Sequence, residues 1–277
     1  MDVLKIAAFS DGTTGGNPAG VVIADELPDA ATMQSIAAEV GFSETVFAQK
    51  QGKSWKTRYY SPENEVPFCG HATIALGAAL GALHGEGVFD LALAEADITV
   101  EAMKHDGVWM AALQSPPTKT DAIKVDQIAA ALGLFGLQPS DIDVRFPPAL
   151  AHAGANHYII ALNDRDRLAA MDYDLDAGRD LMLKEKLITI ALVHCEDDTH
   201  FNVRNAFASG GVLEDPATGA AAAAFGGYLR DLGWKHNGAV TIKQGEDMGM
   251  PSQIRVEIGE KKGSSIRVVG KTHMMEA

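Results

Sequence analysis

Two stretches of the chain have no polar face. Residues 220–228 are alanine, phenylalanine, glycine and tyrosine throughout, and residues 74–83 form a second run of small apolar residues. A helix that is apolar all round is buried all round, and one made of alanine and glycine is thin enough for other segments to wrap closely about it. A proline-led loop precedes each run: Pro67-Phe68-Cys69-Gly70 before His71-Ala72-Thr73, and Pro216-Ala217-Thr218-Gly219 before Ala220. Such loops open their helices with unbonded amide groups outward, which suits an anion. An acid, Glu65 or Asp215, stands just upstream of each loop, and Arg58-Tyr59-Tyr60 and Arg204-Asn205-Ala206-Phe207 come before them in turn. The repetition suggests an internal duplication, two similar halves whose helix N-termini face a shared cleft.

The remaining apolar runs are mostly strand-sized. Residues 3–9 and 20–24 read as strands about a glycine-rich turn at 11–17. A helix starts after Pro28-Asp29, with Met33, Ile36, Ala37 and Val40 at helical spacing and Gly41 placed to end it. Strands follow at 42–47 and 55–60, and 98–101 pairs with 108–113 as a hairpin. The second half restarts with a helix at 126–132 capped by Gly133. Strands at 157–162, 188–193, 201–207, 240–244, 253–258 and 265–269 complete it. Gly154-Ala155-Asn156 before one strand echoes Gly16-Asn17 before another. Helices are too few to cover both faces of a doubly wound sheet. The pattern predicts a mixed α/β (α+β) protein of two similar domains, residues 1–118 and 119–277, each a rolled sheet around a central helix, with the last strand able to pack on the first domain. The boundary rests on the proline-stiffened segment 115–120.

Composition narrows the function. A chain of 277 residues, 47% hydrophobic, buries a substantial core, and a net charge of −14 argues against nucleic acid and anionic membrane surfaces as partners. No apolar stretch is long enough for a membrane span and no basic leader opens the chain, so a cytoplasmic protein is expected. Cys69 and Cys195 read as free thiols. The run His194-Cys195-Glu196-Asp197-Asp198-Thr199-His200 has metal-ligand residue types without a zinc spacing and reads as a solvated turn, so no metal is expected there. Gly15-Gly16-Asn17-Pro18 lacks the lysine and spacing of a nucleotide loop and reads as a turn.

The motifs GGNPAGVV, GFSETVF, PFCGHAT, GVLEDPATGAA and QGEDMGMPS, in that order, resemble the PhzF-like isomerases of phenazine biosynthesis, which share their architecture with diaminopimelate epimerase. The resemblance spans most of the chain. It implies two domains, each a rolled sheet around a central helix, with a cofactor-free active site between them. It also implies a homodimer that moves a proton between carbons of a small carboxylate and amine metabolite. Carried over by motif, the acid/base glutamate is Glu44, the GHAT histidine is His71 and the EDPATG aspartate is Asp215. Asn17, Ser43 and the helix-start residues Gly70, Gly219 and Ala220 are the matching candidates for substrate binding. Ala220 stands where a serine is common and Met250 where an arginine is common, which weakens transfer of the phenazine substrate more than transfer of the chemistry.

Taken alone, Glu44 reads as a solvated strand-edge acid, His71 as a helix cap and Asp215 as an acid favouring the helix dipole. The resemblance turns the first into a group that removes and returns a proton, which such chemistry requires in a dry site. The other two join it as catalytic residues: His71 donates to a substrate carboxylate or shuttles the amino-group proton, and Asp215 holds a substrate amine or orients His71. Two further readings stand beside this one. The scaffold can serve a small-molecule binding or sensing protein, or a cysteine-assisted epimerase built on Cys69; against the latter, the DPATG loop offers no second thiol.

Overall fold

Why a sheet rolls round a helix here is visible in the glycines that face it. A Cβ at Gly77 would lie 2.5 Å from Val100 Cγ2, and one at Gly226 would lie 2.6 Å from Val256 Cγ1. Strand side chains therefore seat directly on helix backbone. The computed structural model describes residues 1–94 and 97–275.

The first unit takes in residues 1–114 and 269–277. Its elements are β1 (Leu4–Ser10), β2 (Asn17–Ala24), α1 (Ala30–Val40), β3 (Thr45–Gln51), β4 (Ser54–Tyr60), β5 (Glu65–Val66), α2 (Gly70–His84), β6 (Gly87–Ala92), β7 (Asp97–His105) and β8 (Val108–Gln114). Helix α2 packs against β1, β2, β7 and β8, and its residues from His71 to Gly81 are buried without a break. Helix α1 lies outside, where Met33 and Ala37 meet Val22, Phe47 and Tyr60. Asp29 caps it by accepting from the Thr32 amide at 2.8 Å, and Gly41 ends it in the left-handed region at φ 71°.

The second unit, residues 115–268, continues with β9 (Lys119–Ala122), α3 (Val125–Leu134), β10 (Ala149–His152), β11 (Asn156–Leu162), α4 (Arg165–Ala169), α5 (Leu175–Glu185), β12 (Thr189–Cys195), β13 (His200–Ala206), β14 (Glu214–Asp215), α6 (Gly219–Leu232), β15 (Ala239–Gln244), β16 (Ser252–Glu257) and β17 (Arg267–Met274). Helix α6 packs against β9, β10, β11 and β16. Residues 219–230 of it are buried except for the half-buried Ala220.

The strand pairings repeat in order. β1–β2 is antiparallel, β2–β3 parallel, β3–β4 and β4–β5 antiparallel, β4–β6 parallel and β6–β7 antiparallel. The series β10–β11, β11–β12, β12–β13, β13–β14, β13–β15 and β15–β16 has the same senses. Both halves are the rolled-sheet, epimerase-like fold, and Asn17 and Asn156 open the equivalent strands β2 and β11.

Several elements differ from the sequence expectation. The strand expected at 42–47 begins at Thr45, so Glu44 sits in the loop before it. Gly133 lies inside α3 and does not end it, because the helix runs on to Leu134 with Phe135 as its cap. Helices α4 and α5 were not expected. Each starts at an aspartate, Asp164 or Asp174, that accepts a helix amide, and their buried Leu168 and Met182 join a core with Tyr158, Ile160 and Leu192. The compact units divide at Gln114 rather than at 118. Ser115 and Thr118 already donate to the Ile266 and Gly263 carbonyls of the second unit, at 2.8 and 3.2 Å. From Val269 onward β17 belongs to the first unit, where it pairs with β1 and β8. No described helix is long and apolar enough to cross a membrane.

His157 gives this core a pH dependence. The imidazole is fully buried on β11, its Nδ1 2.7 Å from Thr189 Oγ1 and its Nε2 without a partner. Burial, with His152 nearby, pushes its pKa down to about 3. The unfolded chain binds this proton below the ordinary histidine pKa and the folded chain does not, so stability is full above pH ~6.5 and falls as pH drops towards 3. The expected loss is on the order of 4 kcal/mol across that window. His157→Asn, which cannot titrate, should flatten the decline in urea midpoint between pH 6.5 and 4; an unchanged slope would assign the decline to other groups.

Candidate active site

The strongest cluster of chemistry lies in the first unit, at the start of α2. Cys69 is the N-cap of the helix, in extended conformation (φ −141°, ψ 119°), and its side chain makes no capping bond. Its carbonyl accepts from the Thr73 amide at 3.0 Å and the Thr73 hydroxyl at 2.7 Å, and Tyr59 hydroxyl lies 2.7 Å from that same hydroxyl. Tyr59 is wholly buried, and desolvation holds its phenol well above the ordinary tyrosine pKa. The first turn is thereby fixed from below, and Gly70 and His71 follow on it.

His71 is buried on the second residue of the helix. Its Nε2 lies 3.4 Å from Glu44 Oε2 and 3.4 Å from Ser43 Oγ, and its Nδ1 lies 3.3 Å from Cys69 Sγ. Glu44 reaches this point because Gly41 ends α1 and the next three residues turn the chain into β3. There the Glu44 carbonyl accepts from the Gly20 amide at 3.2 Å, which sets Gly20 opposite Thr45 in the parallel pair β2–β3. The Glu44 side chain is only 17% exposed, and its Oε2 is buried with no hydrogen bond. A solvated strand-edge acid would be neither. Asn17, buried at the start of β2, lies at the same end of the parallel pair.

With its hydrogen on Nε2 the imidazole can donate to Ser43 Oγ while Nδ1 accepts from the thiol; the reverse tautomer donates towards sulfur, and Glu44 Oε2 stands beside the ring without a hydrogen bond in either case. His71 thus stands between a carboxylate and a thiol. The ligand atoms of Glu44, Cys69 and His71 all lie within 4.8 Å of one another.

In the second unit the acidic pair divides its work. Glu214, 5% exposed, receives Arg204 in a fork with contacts of 2.5 and 3.1 Å, and that guanidinium also donates to the Ala169 and Met171 carbonyls. Arg58 and Glu65 form the matching pair of the first unit at 2.5 and 2.7 Å. The Arg58 hydrogen bonds hold the Glu65 carboxyl below the usual carboxylate range. Asp215 turns instead to the start of α6. Thr218, the N-cap, donates its hydroxyl to Asp215 Oδ2 and accepts from Asn205 and, at 3.1 Å, from Gln244, whose side chain also donates to the Asp215 carbonyl at 2.7 Å. Gly219 and Ala220 form the first turn above it.

The QGEDMG turn braces this loop. Gly245 lies in the left-handed region at φ 77°, and a Cβ there would sit 2.2 Å from the Met250 carbonyl and 2.8 Å from that of Pro216. Glycine is therefore required. Arg204, Asn205, Thr218 and Gln244 drew no functional reading from the sequence. The recurrence of Arg58 and Arg204 before the two loops was the available signal for the ion pairs. Within the His194–His200 segment, residues 196–199 turn the chain from β12 into β13, and Asp197 closes the turn by accepting from the Thr199 and His200 amides at 2.7 and 2.9 Å.

With this geometry in view, comparison with known proteins is direct. The family profile of phenazine biosynthesis-like proteins (PhzC-PhzF) matches residues 6–277. A trans-2,3-dihydro-3-hydroxyanthranilate isomerase from Pseudomonas fluorescens is 32% identical over 258 residues, covering 89% of this chain and 86% of its own. A solved PhzF-family phenazine biosynthesis protein from Bacillus anthracis superposes with a TM-score of 0.87 at 21% identity, over 99% of this chain and 96% of its own. A solved probable proline racemase from Agrobacterium radiobacter shares the fold with a TM-score of 0.65 at 12% identity, over 99% and 90% of the two chains.

The Thr218 network makes a prediction of its own. Thr218→Val removes one hydroxyl, and with it a donor to Asp215 and an acceptor for the Asn205 and Gln244 amides, so the chain should lose about 2 kcal/mol of stability. Urea denaturation measures this, and an unchanged midpoint would mean that the three side chains are satisfied without the threonine.

Proposed function

Because the chain belongs to the phenazine biosynthesis-like family and is an isomerase of that kind, we propose that it moves a proton between two carbons of a small metabolite bearing a carboxylate and an amine, with Glu44 as the acid/base and no cofactor. The observation that carries this reading is the Glu44 carboxylate, held out of water with an oxygen lacking any hydrogen bond, 3.4 Å from a histidine at a helix N-terminus.

The steps balance with this chain's own groups. Glu44 takes a proton from the substrate C–H, and the electron pair left behind delocalises into the adjacent unsaturated system. The same carboxyl then returns the proton to a second carbon, so nothing is oxidised and no co-reactant is consumed. His71 donates towards the substrate carboxylate and holds Glu44 in place. The α2 amides, beginning at Gly70, favour the same negative charge. Asn17 and Ser43 are proposed to orient the substrate, and Asp215 to receive its amine, with Gly219 and Ala220 offering backbone amides in place of the missing serine hydroxyl. A two-thiol epimerase finds less support, because the N-cap equivalent to Cys69 is Thr218.

The Pseudomonas fluorescens relative is named for trans-2,3-dihydro-3-hydroxyanthranilate, and this compound is the first to try. In heavy water the wild type should place deuterium on its carbon skeleton, read by mass spectrometry, and Glu44→Gln should slow uptake by at least about 100-fold. A fully active Glu44→Gln variant would sink the acid/base assignment. Uptake by neither protein would remove this substrate and send the search to other amino carboxylates. Asp215→Asn and His71→Asn, assayed alike, should raise KM as well as lower kcat if they hold the substrate.

A further inference from the structure

The cluster at the start of α2 has a second capacity. We infer that Glu44, Cys69 and His71 form a zinc site, and that zinc bound there occupies the carboxylate needed for proton transfer and so holds the enzyme off. The regulatory half of this inference rests on the reading of Glu44 as the acid/base; the metal site does not.

Donor chemistry and spacing carry the argument. Zinc with four ligands at about 2.0–2.3 Å places neighbouring donor atoms about 3.3–3.6 Å apart. Here His71 Nε2 is 3.4 Å from Glu44 Oε2 and 3.8 Å from Cys69 Sγ, and all three donors fall within 4.8 Å of one another. A metal on Nε2 lies beside Glu44, and it takes in the thiol once the Cys69 side chain rotates from the Nδ1 side of the ring, where Sγ lies 3.3 Å away. One sulfur, one nitrogen and one oxygen suit zinc, whereas magnesium and calcium want six or more oxygens; Ser43 Oγ lies 3.4 Å from the ring Nε2.

The surroundings agree. Cys69 is 7% exposed, and the other two side chains are 9% and 17% exposed, so bound metal would meet solvent only on its open side. The buried Glu44 Oε2 has no donor, a costly state that a cation relieves. The amides of α2 favour negative charge at its N-terminus, as a zinc-bound thiolate requires. The duplicated half supplies an internal contrast. Strands β3 and β12 begin at Thr45 and Thr189, and helices α2 and α6 at Gly70 and Gly219, so the equivalents of Glu44, Cys69 and His71 are Ile188, Thr218 and Ala220. None of that trio resembles a zinc site, and the ligand set belongs to one half alone. Zinc takes thiolate and neutral imidazole, so its affinity should climb with pH.

The test uses the full chain, stripped with a chelator and titrated with cobalt(II) as a coloured stand-in for zinc. One cobalt per chain should bind and produce a thiolate-to-metal charge-transfer absorption in the near ultraviolet. Cys69→Ser should abolish that band, while Cys195→Ser, which alters the other thiol, should keep it. Competition against a chromophoric zinc chelator should show at least about tenfold weaker zinc binding for Cys69→Ser and for Glu44→Gln, with magnesium failing to compete. Circular dichroism checks that each variant is folded. Absence of the band from wild type, or its survival in Cys69→Ser, overturns the site. Unchanged zinc affinity in Glu44→Gln overturns the regulation, because the carboxylate would then be free. Deuterium uptake by the metal-free protein reports on the catalytic reading separately, so the two fail in distinguishable ways.

Discussion

The fold rests on the thinness of two helices. A sheet closes around a helix only if the helix occupies little more than its own backbone, and α2 and α6 meet this by presenting glycine and alanine to the strands. A side chain at Gly77 or Gly226 would have to displace a β-branched residue seated under 3 Å away, and protein interiors have no slack for that. From this constraint the site follows. A helix buried along its length has only its ends at the surface of its unit, and its N-terminal amides must find partners there. The reactive side chains of the first unit gather at that end.

The same device is used twice with different chemistry. Both halves run arginine, paired acid, loop, N-cap and glycine into a buried helix, and in both the arginine fork fixes the short strand that carries the acid. The first half then places carboxylate, imidazole and thiol together. The second spends its polar groups on one another, through Asp215, Thr218, Asn205 and Gln244. One N-terminus gathers carboxylate, imidazole and thiol and the other a hydrogen-bonded set of amides, hydroxyl and carboxylate, although the backbones are alike.

Much of this was legible in the chain because the signals are local. The apolar helices, the hairpin at 98–113, the cap at Asp29 and the stop at Gly41 are all decided by residues within a turn or two of each other. The GHAT and EDPATG motifs located the helix starts. What the sequence hid depends on distant partners. Whether Glu44 is buried depends on where the loop after Gly41 meets β2, a contact fixed by the Gly20 amide donating to the Glu44 carbonyl. Helices α4 and α5 were masked by their charged outer faces, although Asp164 and Asp174 announce their beginnings. Cys69 read as a free thiol, and its distance from His71 is what places it beside other chemistry.

The path of β17 has a temporal consequence. This strand pairs with β1 through Ile6 and Met274 and with β8 on its other side, so it is an interior strand of the unit whose other elements precede residue 115. During synthesis the second unit has all of its residues before the first unit has its last strand. The half that carries Glu44 and His71 is begun first and closed last. Until then β1 and β8 stand as open edges, and the half that carries Glu44 and His71 waits on a strand made after the second unit.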